Sequence, residues 1–174
     1  MRNFFAIIVQ NIKQEPISRH SKCLRWWIIN QWHIFRKIVN SSSRVLNLSK
    51  NSSVKHVFFS SSSEVYGEPV ELPQHEHRTP LNSRVPYAVV KNVGESFLKS
   101  YQQEFGLPYT IFRFFNTYGP NQSTDFVVSR FLALALKNED ITIYGDGTQT
   151  RTFTYIDDNI DTICNIMNKK LLEN

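Results

Sequence analysis

The chain has 174 residues, of which 41% are hydrophobic and 20% charged, with a formal net charge of +5. The charge is unevenly spread: through Arg44 there are eight Lys and Arg against the single acid Glu15, whereas the remainder carries twelve against fourteen Asp and Glu. The basic balance therefore belongs to the amino-terminal segment, and the rest offers no basic face for nucleic acid. Cys23 and Cys164 stand alone in separate regions, which excludes a disulfide framework and fits a reducing cytoplasm.

Residues 1–40 form an atypical basic segment that holds all three tryptophans, Trp26, Trp27 and Trp32. Leu24, Trp27, Ile28, Ile34, Phe35 and Ile38 fall on one side of a helix, with Arg36 and Lys37 elsewhere. Such a helix suits contact with an anionic membrane surface through residues 24–38, or packing on a sheet. A third reading is that the segment is foreign to the fold, left by truncation, rearrangement or a shifted frame. The abrupt break in composition favours the third. No apolar run reaches the roughly 18 residues of a membrane span, and polar residues interrupt the start where a signal peptide would be apolar.

Val57-Phe58-Phe59 is a short apolar run that predicts a buried parallel strand. It leads into the serines at 60–63 and a turn at Gly67, which puts Ser62 near the strand's carboxyl end, the edge where open α/β sheets bind ligands. A helix is expected from Tyr87 through Tyr101, with Val90, Val93, Phe97 and Leu98 as its apolar side. Tyr87 and Lys91 are one turn apart on that helix. A free tyrosine is a poor base at neutral pH, and a neighbouring ammonium favours its phenolate. Read alone, the spacing favours a plain surface pair, and the serines have a lesser alternative as a solvated loop. Tyr109–Phe114 predicts a second buried strand, and a final helix is expected over Ile160–Met167, capped by Asp157 or Asp158. His75 and His77 bracket Glu76 in a loop with no metal-binding spacing, so no metal is expected.

Between about Val39 and Met167 the sequence resembles the extended short-chain dehydrogenase/reductases that act on nucleotide sugars, the NAD-dependent epimerase/dehydratase family. Five motifs carry the likeness in the family's order: SSSEVYG, PYAVVK, FRFFNTYGP, ITIYGDGTQTR and FTYIDD. The resemblance implies an α/β fold, a partial Rossmann-like (doubly wound) parallel sheet with the start of a smaller substrate-binding lobe. It implies NAD as cofactor and a nucleotide sugar as substrate. By position Tyr87 is the implied base, Lys91 its activator and the residue on the nicotinamide ribose, and Ser62 the hydroxyl that binds the sugar oxygen and relays its proton. Phe115 falls where the family's backbone lies against the nicotinamide. Asn116 matches the residue on a substrate phosphate, Tyr144 the one beside the nucleotide base, and Arg151 the cation on the nucleotide ribose or diphosphate.

Glu64 bears on the reaction. The family's sugar dehydratases place Asp before it, giving an acid–base pair, whereas Ser63 stands there. The decarboxylases share the Ser-Glu-Val-Tyr-Gly and Gln-Thr-Arg segments, but Pro86-Tyr87-Ala88 looks more like the epimerases, so a C4 epimerase of a UDP- or dTDP-sugar is the preferred reading over a decarboxylase or dehydratase.

All six glycines lie at Gly67 or later. A dinucleotide fold needs a Gly-rich turn after its first strand, where backbone amides approach the pyrophosphate. A missing half-fold would also need on the order of 90 residues before the serine strand, and 61 precede Ser62. The expectation is a fragment in three parts: the basic segment 1–40, the later part of a cofactor domain at 41–123, and an incomplete nucleotide-sugar lobe at 124–174. Little activity is expected of it alone; a homodimer or a complementing subunit would supply the rest. The alternative from another class is a non-catalytic fragment that binds a nucleotide or a partner.

Overall fold

The computed structural model describes residues 6–8, 39–68 and 70–172. They form two compact units that divide between Phe114 and Phe115.

The first unit is built on three parallel strands in the order β1 (Ala6–Ile8), β2 (Val57–Ser62) and β3 (Tyr109–Phe114). Ala6 pairs with Val57 on one side of β2, and Val57 pairs with Tyr109 on the other. The strand signals at Val57 and Tyr109 are realised, and β2 runs on through the serines to Ser62. Ser60, Ser61 and Ser62 are therefore strand and not solvated loop, and Ser61 is buried.

Three residues of the 1–40 segment, Ala6–Ile8, pair in register with the sheet. The helix expected around Trp27 and Ile38, with its proposed membrane face, lies outside the described residues. No described helix is long and apolar enough to cross a membrane.

A helix over residues 39–50, α1, and a long helix, α2 (Pro86–Phe105), cover one face of the sheet. Alternation along the strands sends Val57, Phe59, Tyr109 and Ile111 to that face. There they pack with Leu46 of α1 and Leu98 of α2, and Leu107 closes the cluster. Each such side chain contributes about 1.5–3 kcal/mol by leaving water. On the other face Phe58 stacks near Phe112, with ring centroids 6.1 Å apart.

α2 begins with Pro86 in its first turn and an extended Val85 before it, the arrangement that suits a residue lacking an N–H. It ends at Gly106, whose φ of 66° closes the helix as its N–H donates to the Gln102 carbonyl. The helix thus runs one turn beyond the predicted Tyr101. Midway, Gly94 lets α2 approach the sheet: a Cβ there would lie 2.4 Å from Phe59 Cζ.

The second unit pairs β4 (Asn116–Tyr118) in parallel with β5 (Phe153–Tyr155), and adds α3 (Val127–Leu136) and α4 (Ile156–Leu172). α4 starts earlier than predicted, so Asp157 and Asp158 sit within its first turn, facing the positive end of the helix rather than capping it. The expected lobe boundary at residue 123 falls inside this second unit, in the loop before α3.

Candidate active site

The carboxyl end of β2 carries the candidate residues of the first unit. The strand stops at Ser62, whose side chain accepts from the Glu64 N–H at 3.2 Å and so caps one turn of 3₁₀ helix, Ser63–Tyr66. Gly67 ends that turn with φ 64°, and a Cβ there would collide with the Asn82 carbonyl oxygen. The chain then returns through Pro86, and Tyr87 enters in the first turn of α2.

Tyr87, Ser62 and Glu64 are close enough to act on one another. Burial of the Tyr87 hydroxyl raises its pKa above 10, the Glu64 charge raises it further, and hydrogen bonding with Ser62 pulls the other way. The sequence led to the opposite expectation, a phenol made more acidic by Lys91. The reason for the reversal is geometric. Lys91 Nζ donates to the Ser60 carbonyl at 2.6 Å and stands over the Tyr87 ring, 5.6 Å from its centroid. Its ammonium is therefore turned to the strand backbone.

Lys91 is only 1% exposed, and burial pushes its pKa down to about 8. One turn further along α2, the buried carboxylate of Glu95 accepts from Ser61 Oγ at 2.5 Å and from Arg113 Nε and Nη2 at 3.0 and 2.7 Å. Glu95 in turn raises the already high pKa of Arg113. Arg113 Nη1 also donates to the Tyr66 hydroxyl and the Glu76 carbonyl, at 2.8 and 3.0 Å. The sequence reading missed Glu95 and Arg113, although two signals pointed to them. Glu95 follows Lys91 at i+4 on one helix face, and a charged residue inside the apolar run Tyr109–Phe114 demands a buried partner.

Phe115, Asn116, Tyr144 and Arg151 all belong to the second unit. Phe115 is partly exposed at its start. Asn116 Nδ2 donates to the Thr152 carbonyl at 3.0 Å, beside Arg151 in the chain. Tyr144 is 72% exposed and opens a tight loop closed by Gln149 Nε2 on the Tyr144 carbonyl. Within the loop Asp146 accepts from the Thr148 hydroxyl and N–H, which lowers the Asp146 pKa. Arg151 is exposed, and Nη1 donates to the Thr150 carbonyl at 2.7 Å. An exposed aromatic face and an exposed guanidinium can meet a base and a phosphate. Among the described residues no group of His, Cys, Asp and Glu is placed to hold a metal.

Residues 18–173 match the NAD dependent epimerase/dehydratase family. The chain belongs to that family. Among relatives, an uncharacterized UDP-glucose epimerase of Bacillus subtilis is 37% identical over 131 residues, 75% of this chain and 41% of that protein. UDP-glucuronic acid decarboxylase 5 of Arabidopsis thaliana is 38% identical over 129 residues, 71% of this chain and 38% of that protein. The crystal structure of UDP-glucuronic acid 4-epimerase from Bacillus cereus in complex with NAD is similar in fold, with a TM-score of 0.67 and 34% identity, over 73% of this chain and 40% of that one. The chain therefore spans about two fifths of the length of these family members. Membership from residue 18 onward also places part of the basic segment within the family.

The family's cofactor fits the described residues at one end. A buried ammonium beside a phenol, at the carboxyl edge of a parallel strand, suits a nicotinamide ribose. The residues before the serine strand contain no glycine, so no Gly-rich turn for the pyrophosphate is found there in the sequence.

Proposed function

We propose that this chain carries the catalytic segment of an NAD-dependent, cytoplasmic nucleotide-sugar C4 epimerase. The observation that carries the reading is the placement of Tyr87 one helical turn from the buried Lys91, with Ser62 and Glu64 acting on the same hydroxyl. When bound, NAD supplies the hydride acceptor and a positively charged ring. Ser62 holds the C4 hydroxyl of the sugar, and Tyr87 takes its proton as the C–H electron pair leaves. Once the keto sugar has turned, Tyr87 would return the proton to the C4 oxygen, and hydride given back by the bound cofactor to the other face of C4 would leave the centre inverted with no net oxidation. The raised pKa keeps Tyr87 protonated at neutral pH until positive charge is brought beside it.

The finer reading that the chain is impaired rests on the absence of glycine before Gly67. Calorimetric titration with UDP and with NAD tests both parts. UDP binding, lost on Arg151→Ala, with weak or absent NAD binding is the expected result. Micromolar NAD binding would refute the impairment, and binding of neither would sink the epimerase reading in favour of a non-catalytic fragment.

The likeness to a decarboxylase supports a second reading. It predicts carbon dioxide release from UDP-glucuronate, where the epimerase returns a C4 isomer of unchanged mass.

A further inference from the structure

Lys91 and Glu95 sit one turn apart on α2, and each bonds a different one of two consecutive residues of β2. Lys91 Nζ reaches the carbonyl of Ser60, and Glu95 receives the hydroxyl of Ser61. Ser61 is also the direct register partner of Arg113 in β3. The Arg113 fork closes on the same carboxylate, so Glu95 ties α2 to two adjacent strands at one level. Arg113 then reaches forward to Tyr66, the last residue of the turn that follows Ser62. Ser62 is thereby bracketed, by Ser61 before it and by Tyr66 after it.

A buried ion pair is a costly way to hold a fold. Taking both charges out of water offsets most of their attraction, and apolar residues of similar volume commonly do as well or better. What the pair provides here is direction. With two anchors one turn apart, α2 cannot rotate or slide along β2 without breaking one of them. A hydrophobic contact has no such directionality. A reacting group misplaced by about 1 Å loses on the order of a hundredfold in rate.

We propose that Glu95 and Arg113 are positioning residues. Through the Ser61 hydroxyl they fix the strand carbonyl that holds Lys91, and so set where its ammonium stands beside Tyr87. The proposal deepens the catalytic reading above and rests on it for its purpose.

The test is carbon-13 NMR titration of the Lys91 side chain in the whole chain labelled at lysine, with the resonance assigned by its loss in Lys91→Arg. The wild-type midpoint is expected near 8, as burial between Phe59, Tyr87 and the Ser60 carbonyl dictates. Ser61→Ala keeps the ion pair and removes only the link to β2. It is expected to raise the midpoint by about one pH unit as water reaches the amine, and Ser61→Thr, which keeps a hydroxyl, should restore it. Arg113→Lys keeps the positive charge but loses the fork, and should move the midpoint in the same direction. Wild-type titration in folded Ser61→Ala and Arg113→Lys, whatever their loss of thermal stability, would overturn the proposal. A rise that Ser61→Thr does not reverse would also overturn it. So would the failure of both Ser61→Ala and Arg113→Lys to fold, because the network would then be holding the domain. Neither NAD nor sugar is present, so a chain that binds neither would refute the catalytic reading without touching this one.

Discussion

Ser61 and Arg113 stand directly opposite one another across the β2–β3 ladder, and both side chains end on the carboxylate of Glu95. The carboxylate has no exposed surface and takes three bonds, one from Ser61 and two from Arg113. Arg113→Met should therefore cost about 3–5 kcal/mol, because it leaves a buried charge without its partner. Adding Glu95→Leu should recover most of the loss. Urea denaturation of the two single variants and the double variant checks this: an equal or greater loss in the double variant would contradict it.

Tyr87 is held above its ordinary pKa by burial first and by Glu64 second, with Ser62 opposing. Glu64→Gln should lower the Tyr87 pKa, and Ser62→Ala should raise it. Carbon-13 NMR of the tyrosine Cζ, assigned with Tyr87→Phe, reads both directions. A Glu64→Gln variant that leaves the titration unchanged would remove Glu64 from the site.

Lys91 makes the stability of the chain depend on pH in a definite window. Its folded pKa of about 8 lies below the ordinary 10.5. Below pH 8 both states hold the proton and the cost of burying the charge is felt in full. From pH 8 toward 10.5 the unfolded chain binds more proton than the folded one, so stability rises with pH, by on the order of 3 kcal/mol in all. Above pH 10 the raised Tyr87 acts in the other sense, because the unfolded phenol ionises first and stability falls. Lys91→Met should flatten the rise beginning at pH 8 and leave the high-pH fall, as followed by urea midpoints at stepped pH.

Gly94 faces the Phe59 ring where α2 packs on β2. Gly94→Ala would set a methyl group 2.4 Å from Phe59 Cζ, and should cost about 1–3 kcal/mol by overpacking. Phe59→Leu in the same chain should return part of that loss, which thermal melts of the two variants would show.

β2, β3 and most of α2 were legible because apolar runs, a proline start and a glycine end agree along their length. β1 was not, since the short apolar run Phe4–Val9 that holds it cannot be told from a buried helix segment by periodicity alone. Residues 41–43 are consecutive serines, weak helix formers, yet they lie within α1 because that helix packs Leu46 against Val57 and Phe59. Ser62, Tyr87 and Lys91 were singled out by the family motifs around them, because the spacing alone fits a plain surface pair. The direction of the Tyr87 shift could not be read this way, because it depends on which acceptor the Lys91 ammonium finds, and that is a matter of three dimensions.

The acceptor that Lys91 finds is a neutral carbonyl. A carboxylate in its place would have neutralised the amine; the Ser60 oxygen aims the ammonium and leaves its charge whole. In a wall of low polarity such a charge is weakly screened and reaches further than it would in water. The end of β2 therefore keeps a charge of its own, to be felt by an electron-rich group that comes to rest against it.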